Sequence, residues 1–178
     1  MRVVFISRAT LYTVIGGDSI QILQTAKQLR NLGISVDVKL THEAIDYSVY
    51  DLLHFFNIIR PADILFHTQK TDKPFVVTTI LIDYSAYDKA YRKGVAGFFL
   101  RFLSKDNLEY VKAIARFLKG QDKLMTRSYL WMGQYKCIIK ILKSASVLFS
   151  NSLMETRTIG QRFGCNTKCI PVSNGVDP

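Results

Sequence analysis

The sequence predicts an α/β fold, a doubly wound parallel sheet with helices on its faces. Three observations carry this. Short apolar runs rich in Val, Ile and Phe recur along the chain. Segments with helical apolar spacing separate them. Turn residues, chiefly Gly, Pro and Asn, fall between the two kinds of segment. Strands alternating with helices imply parallel strands joined by right-handed crossovers.

The elements follow in order. Arg2–Ser7 is almost continuously apolar, as a central parallel strand must be. A loop with Gly16-Gly17 follows, and Asp18 or Ser19 is placed to cap a helix. That helix runs through Ile22, Leu23, Ala26, Leu29 and Leu32 and stops at Gly33, a natural left-handed terminator. Ser35–Leu40 and Leu52–Phe56 are the next strands. Arg60-Pro61 opens a helix to Lys70, with proline in the first turn. Lys73-Pro74 then leads into a strand over 75–82. A further strand spans 146–150. Ser152 and Glu155 have capping-box spacing, Glu155 reaching back to the cap N–H. The helix they open ends near Phe163-Gly164, and a last strand covers 168–172.

Composition bounds the function. A chain of 178 residues fits one domain, and it buries about 70% of its unfolded surface without staples. Hydrophobic content of 48% beside 21% charged residues excludes a disordered chain. Cys137, Cys165 and Cys169 are odd in number, and Met1 to Ile6 is too short for a signal-peptide core. Free thiols in a cytoplasmic, reducing setting are the expectation. Cys165 and Cys169 have no His at ligand spacing, so no metal site is expected. No apolar run approaches the roughly 20 residues that a membrane span requires.

The net charge of +10 points to an anionic partner. It is concentrated in residues 84–143, which carry thirteen Lys and Arg against four Asp and Glu. This stretch reads as a helical insertion between two strands of the sheet. It mixes basic with aromatic residues, including Arg92, Lys93, Phe98, Phe99, Arg101 and Lys105. Leu108, Val111, Ala115 and Leu118 recur at helical spacing, and Trp131, Ile138, Ile141 and Leu142 suggest a further helix. One reading is an interfacial surface, with rings in the headgroup zone and cations on anionic lipid. The other is amphipathic helices packed on a core with their charges in water. Nucleic acid fits less well, because the aromatics lie in apolar runs rather than as spaced stacking platforms.

Ligands of open parallel sheets bind beyond the carboxyl ends of the strands. Gly16-Gly17 stands after the first strand, as either a phosphate-approaching loop or a tight turn. His54 and Asn57 belong to the third strand and its exit, where His54 is either a cleft residue or a core polar group. Asp83 and Tyr84 follow the fourth strand. A carboxylate there suits a general base, an acceptor-site hydrogen-bonding group or a helix cap. No Ser-His-Asp or metal-ligand constellation emerges.

The pieces in this order resemble the N-terminal half of a GT-B glycosyltransferase of glycosyltransferase family 4 (glycosyl transferase group 1). They are Gly16-Gly17; Leu32-Gly33-Ile34 leading into Ser35–Leu40; Asp51-Leu52-Leu53-His54; Lys73-Pro74-Phe75-Val76-Val77-Thr78; Asn151-Ser152 with Glu155; Phe163-Gly164; and Ile170-Pro171-Val172 before Asn174-Gly175-Val176-Asp177. The resemblance implies a Rossmann-like domain over 1–172, with 173–178 starting a linker to a second, donor-binding domain. It implies retaining, hexosyltransferase-type transfer of a sugar from a nucleotide-sugar to a glycan or lipid-linked acceptor, in cell-surface polysaccharide synthesis. No metal or other cofactor is implied. Gly16 and Gly17 would face donor phosphates; His54, Asn57 and Tyr84 would line the acceptor side. Where family members often carry a His, this sequence has Leu81-Ile82-Asp83, which puts Asp83 forward as the acceptor-site polar group. The half alone would be inactive and would sit in the cytoplasm, peripheral to the inner face of the cell membrane. The rival reading is a stand-alone Rossmann-like module binding a nucleotide or sugar phosphate without catalysis; a module engaging protein partners through the basic helices is a further one.

Overall fold

The computed structural model describes residues 1–81, 110–111, 113–114 and 126–175. Six parallel strands form one sheet: β1 (Arg2–Ser7), β2 (Ser35–Leu40), β3 (Leu52–Phe56), β4 (Phe75–Thr78), β5 (Val147–Ser150) and β6 (Cys169–Pro171). Their order is β2-β1-β3-β4-β5-β6. Among the described residues four helices have both ends defined: α1 (Gly17–Asn31), α2 (Pro61–Thr68), α3 (Arg127–Ser144) and α4 (Leu153–Phe163), and residues 110–111 and 113–114 are helical as well. This is a Rossmann-like parallel α/β fold, as the alternation of apolar runs and helical segments predicts.

Side chains alternate across the pleat and build two cores. Val4, Ile6, Leu53, Phe55, Phe75, Val77 and Leu148 meet Ile64 and Leu65 of α2, Ile138, Ile141 and Leu142 of α3, and Ile159 and Phe163 of α4. Val3, Phe5, Val36 and Phe56 meet Ile22 and Ala26 of α1 on the opposite face. Among the described residues α2, α3 and α4, with Tyr110 and Ala113, cover one face and α1 covers the other. Each fully buried Leu, Ile or Phe contributes about 1.5–3 kcal/mol relative to exposure. The two clusters, which hold most of the buried apolar residues, thereby set the strand register.

Several boundaries differ from the sequence reading. The cap of α1 is Gly16, in extended conformation, rather than Asp18 or Ser19. Ser19 instead sits in the first turn, where its Oγ accepts the Gly16 N–H at 3.3 Å. β4 stops at Thr78 rather than continuing to 82. Ile80 adopts φ +45, a conformation a β-branched residue rarely takes, so the chain leaves the sheet there. The capping box at α4 is half as expected. Ser152 Oγ accepts the Glu155 N–H at 3.1 Å, but the Glu155 carboxylate reaches past the cap to Asn151 N at 2.7 Å.

Gly33 and Gly164 end α1 and α4 with positive φ, as expected of helix terminators. Of the basic insertion, only 110–111, 113–114 and residues from Thr126 onward are described. Ile138, Ile141 and Leu142 of α3 belong to the core and Trp131 to the surface. Arg92, Lys93, Phe98, Phe99, Arg101 and Lys105 lie outside the described residues, as do Asp83 and Tyr84.

Candidate functional site

The strand order places a switch point between β1 and β3, since the chain moves outward from β1 to β2 and then returns to the other side. A crevice opens at the carboxyl ends of such strands. Ser7 and Arg8 close β1, Asn57 follows β3, Thr79 to Leu81 follow β4, and Asn151 follows β5. Gly16 and Gly17 open α1 above this edge.

Arg8 organises the loop after β1. Its guanidinium donates to Asp18 at 2.8 and 3.0 Å, to Ser19 Oγ at 3.0 Å, and to the carbonyls of Thr10 at 2.8 Å and Val14 at 2.7 Å. The Arg8 hydrogen bonds hold the Asp18 carboxyl below its ordinary pKa, against the opposing effect of burial. A Cβ on Gly16 would lie 3.0 Å from Asp18 Oδ1, so glycine leaves room for this ion pair. A Cβ on Gly17 would meet nothing within 4 Å. Gly17 is therefore free of steric constraint from the protein, and its side of the helix start is open.

Asn57 has φ +68, tolerated by its short polar side chain, and its Oδ1 accepts the Ile59 N–H at 3.1 Å. Its own N–H donates to Thr78 O at 2.9 Å. Asn57 thus turns the chain from β3 into α2. His54 lies within β3 rather than beyond its end. Its Nε2 shares a hydrogen bond with Thr78 Oγ1 at 2.8 Å, and its ring stacks on Phe56 at 4.3 Å and meets Phe5 edge-on at 4.7 Å. Burial pushes its pKa down to about 3, so the imidazole is neutral at pH 7.

A groove of about 480 Å³ runs between α1, the sheet and residues 172–175. Phe5, His54, Val76, Thr78 and Phe149 form its floor; Gly17, Gln21, Gln24, Thr25 and Asn151 are among its walls. Gln21 Nε2 donates to Asn151 Oδ1 at 2.8 Å, tying α1 to the end of β5. Among the described residues the lining has no Asp, Glu, Lys or Arg side chain, and Met1 brings the amino terminus to one end of it. Such a groove has the size of a small-ligand site and suits a neutral moiety held by ring contacts and amide or hydroxyl hydrogen bonds. Gly17 and His54 share it; Gly16 and Asn57 do not line it.

Two features at this edge are absent from the sequence reading. The Arg8–Asp18 pair is one, and its only signal is a cation after the strand and a carboxylate after the glycines. The second is a clamp at Glu155. Its carboxylate accepts from the Thr79 hydroxyl, from Leu81 N at 2.6 Å and from Asn151 N at 2.7 Å. It thereby fixes the exit of β4, including the strained Ile80, against the exit of β5. The spacing of Ser152 and Glu155 reveals a cap but gives no sign of the long-range contacts. Among the described residues no cluster of His, Cys, Asp or Glu is arranged to hold a metal. No protein-family model matches the chain, and no curated protein matches it.

Proposed function

We propose that this chain is the acceptor-side domain of a retaining, GT-B-type glycosyltransferase, transferring a sugar from a nucleotide-sugar to a glycan or lipid-linked acceptor. The observation that carries the reading is the carboxyl edge itself. A parallel sheet with its switch point at β1/β3 meets a glycine-opened helix there, and a groove of ligand size runs from this edge along the sheet face under α1 toward Met1 and Leu52. Among the described residues Arg8, Asp18 and Glu155 frame this edge, and all three are engaged in internal hydrogen bonds. That arrangement suits a domain that positions an acceptor while donor and catalytic groups come from a second domain. Leaving-group phosphate then takes the acceptor proton, so the domain's task is orientation. The second reading is a non-catalytic module that binds a nucleotide or sugar phosphate, with the open start of α1 at Gly17 as its phosphate-facing feature.

The role given to Asp83 tests the first reading. In a polypeptide joining this chain to its donor-binding domain, Asp83→Asn lowers kcat/KM for the acceptor about tenfold or more, the worth of a hydrogen bond to a charged group. Unchanged acceptor kcat/KM removes Asp83 from the site. Submicromolar binding of nucleotide to the chain alone, by calorimetric titration, favours the second reading instead.

A further inference from the structure

Trp131 is the single tryptophan of the chain and is 91% exposed. Tryptophan is highly buried on average, so this exposure is a departure that calls for a partner. The residue lies in the first part of α3. Two positions later Gly133 takes φ +72 and ψ 171, which breaks the helix into two pieces. Leu130 beside it is also exposed, and Tyr110 Oη donates to Leu130 O at 2.8 Å, bringing the exposed Val111 into the same neighbourhood.

Beyond the break, Lys136, Lys140 and Lys143 recur at i, i+4 and i+7 and are exposed. They form one stripe, while Cys137, Ile138, Ile141 and Leu142 face the core. Residues Arg127–Ser144 contain four basic side chains and no Asp or Glu. Among the described residues none of these four makes an ion pair. An exposed indole with an adjacent leucine, on a helix whose charges are all positive, matches the chemistry of an anionic bilayer surface. Rings and aliphatic side chains sit at the headgroup level, and cations meet the lipid phosphates. Nucleic acid would call for a run of spaced stacking platforms, whereas on α3 the exposed rings are Trp131 and Tyr135, and Tyr135 Oη donates to Arg162 O at 3.0 Å.

We propose that α3 seats the protein on an anionic membrane, with Trp131 and Leu130 entering the headgroup zone and the Lys136–Lys140–Lys143 stripe meeting anionic lipid. The seat goes beyond the proposed function and stands apart from it, since sugar transfer plays no role in its test. It locates the contact on α3, distinct from Arg92 to Lys105.

The single tryptophan makes the test direct, because excitation at the red edge of the absorption band, where the nine tyrosines do not absorb, reports Trp131. Vesicles of phosphatidylcholine mixed with phosphatidylglycerol are titrated into the chain, with phosphatidylcholine alone as control. The expected result is a blue shift of emission with the anionic vesicles, quenching by brominated lipid, and reversal by salt. Trp131→Ala lowers partitioning in a sedimentation assay about tenfold. Lys140→Gln lowers it about fivefold. Both positions are exposed, so circular dichroism of the variants should match that of the parent. Sedimentation with vesicles while Trp131 emission stays unshifted and Trp131→Ala binds normally overturns the α3 seat but leaves a membrane role for residues 92–105. No sedimentation with either vesicle overturns both. A blue shift with duplex DNA and none with anionic vesicles overturns the choice of partner.

Discussion

Glu155 shows how much one side chain decides at the carboxyl edge. Three donors converge on its carboxylate, two of them the backbone N–H groups of Leu81, 74 positions away, and Asn151, 4 positions away. In Glu155→Gln the amide nitrogen faces a donor, leaving one buried N–H unpaired. The expected loss is about 2 kcal/mol, read as a lower urea midpoint with unchanged slope. His54 and His67 make a second residue-scale prediction. Burial lowers their pKa values to about 3 and about 4; for His67, nearby Lys70 adds to the effect. The unfolded chain takes up these protons near pH 6.5, whereas the folded chain resists until much lower pH. Stability is therefore complete above pH 6.5 and falls as pH drops from 6.5 toward 4, by about 1.4 kcal/mol per pH unit for each histidine. Urea unfolding across this range should show the slope, and His54→Phe should remove about half of it. Neither behaviour was legible in the sequence. His54 sits in an apolar run, which reads as a core polar group before a cleft residue; its Thr78 and Phe56 partners become apparent only once β3 and β4 are paired.

At the scale of elements, local signals carried most of the information. Pro61 at a helix start, Gly33 and Gly164 at helix ends and Ser152 as a cap are all where residue chemistry puts them. The misplaced boundaries have tertiary causes. β4 ends early because Glu155 binds Leu81 N, which apolar patterning across 75–82 does not reveal. The start of α1 shifts to Gly16 because Arg8 draws Asp18 into an ion pair. α3 supplies the test at this scale. Gly133 has a backbone conformation that side chains beyond glycine adopt only under strain. Gly133→Ala should cost about 1–3 kcal/mol in urea unfolding, while an alanine scan of the exposed Lys136, Lys140 and Lys143 should each stay within about 0.5 kcal/mol. Equal stability of Gly133→Ala and the parent contradicts the break in the helix.

For the whole molecule, the alternation of strands and helices was enough to anticipate a parallel sheet, and six strands form it. The strand order, the placing of α1 on one face and α2, α3 and α4 on the other, and the groove under α1 needed the fold. The functional reading joins that edge to a resemblance carried by short pieces spread along the chain, from Gly16-Gly17 to Asn174-Gly175. It assigns orientation of an acceptor to this domain and donor binding to another. The most direct test is incorporation of label from radioactive nucleotide-sugars into a membrane lipid and glycan extract. The account predicts incorporation by a polypeptide that joins this chain to its donor-binding domain, and none by residues 1–178 alone. Transfer by residues 1–178 alone, or no transfer from any nucleotide-sugar by the joined polypeptide, contradicts it.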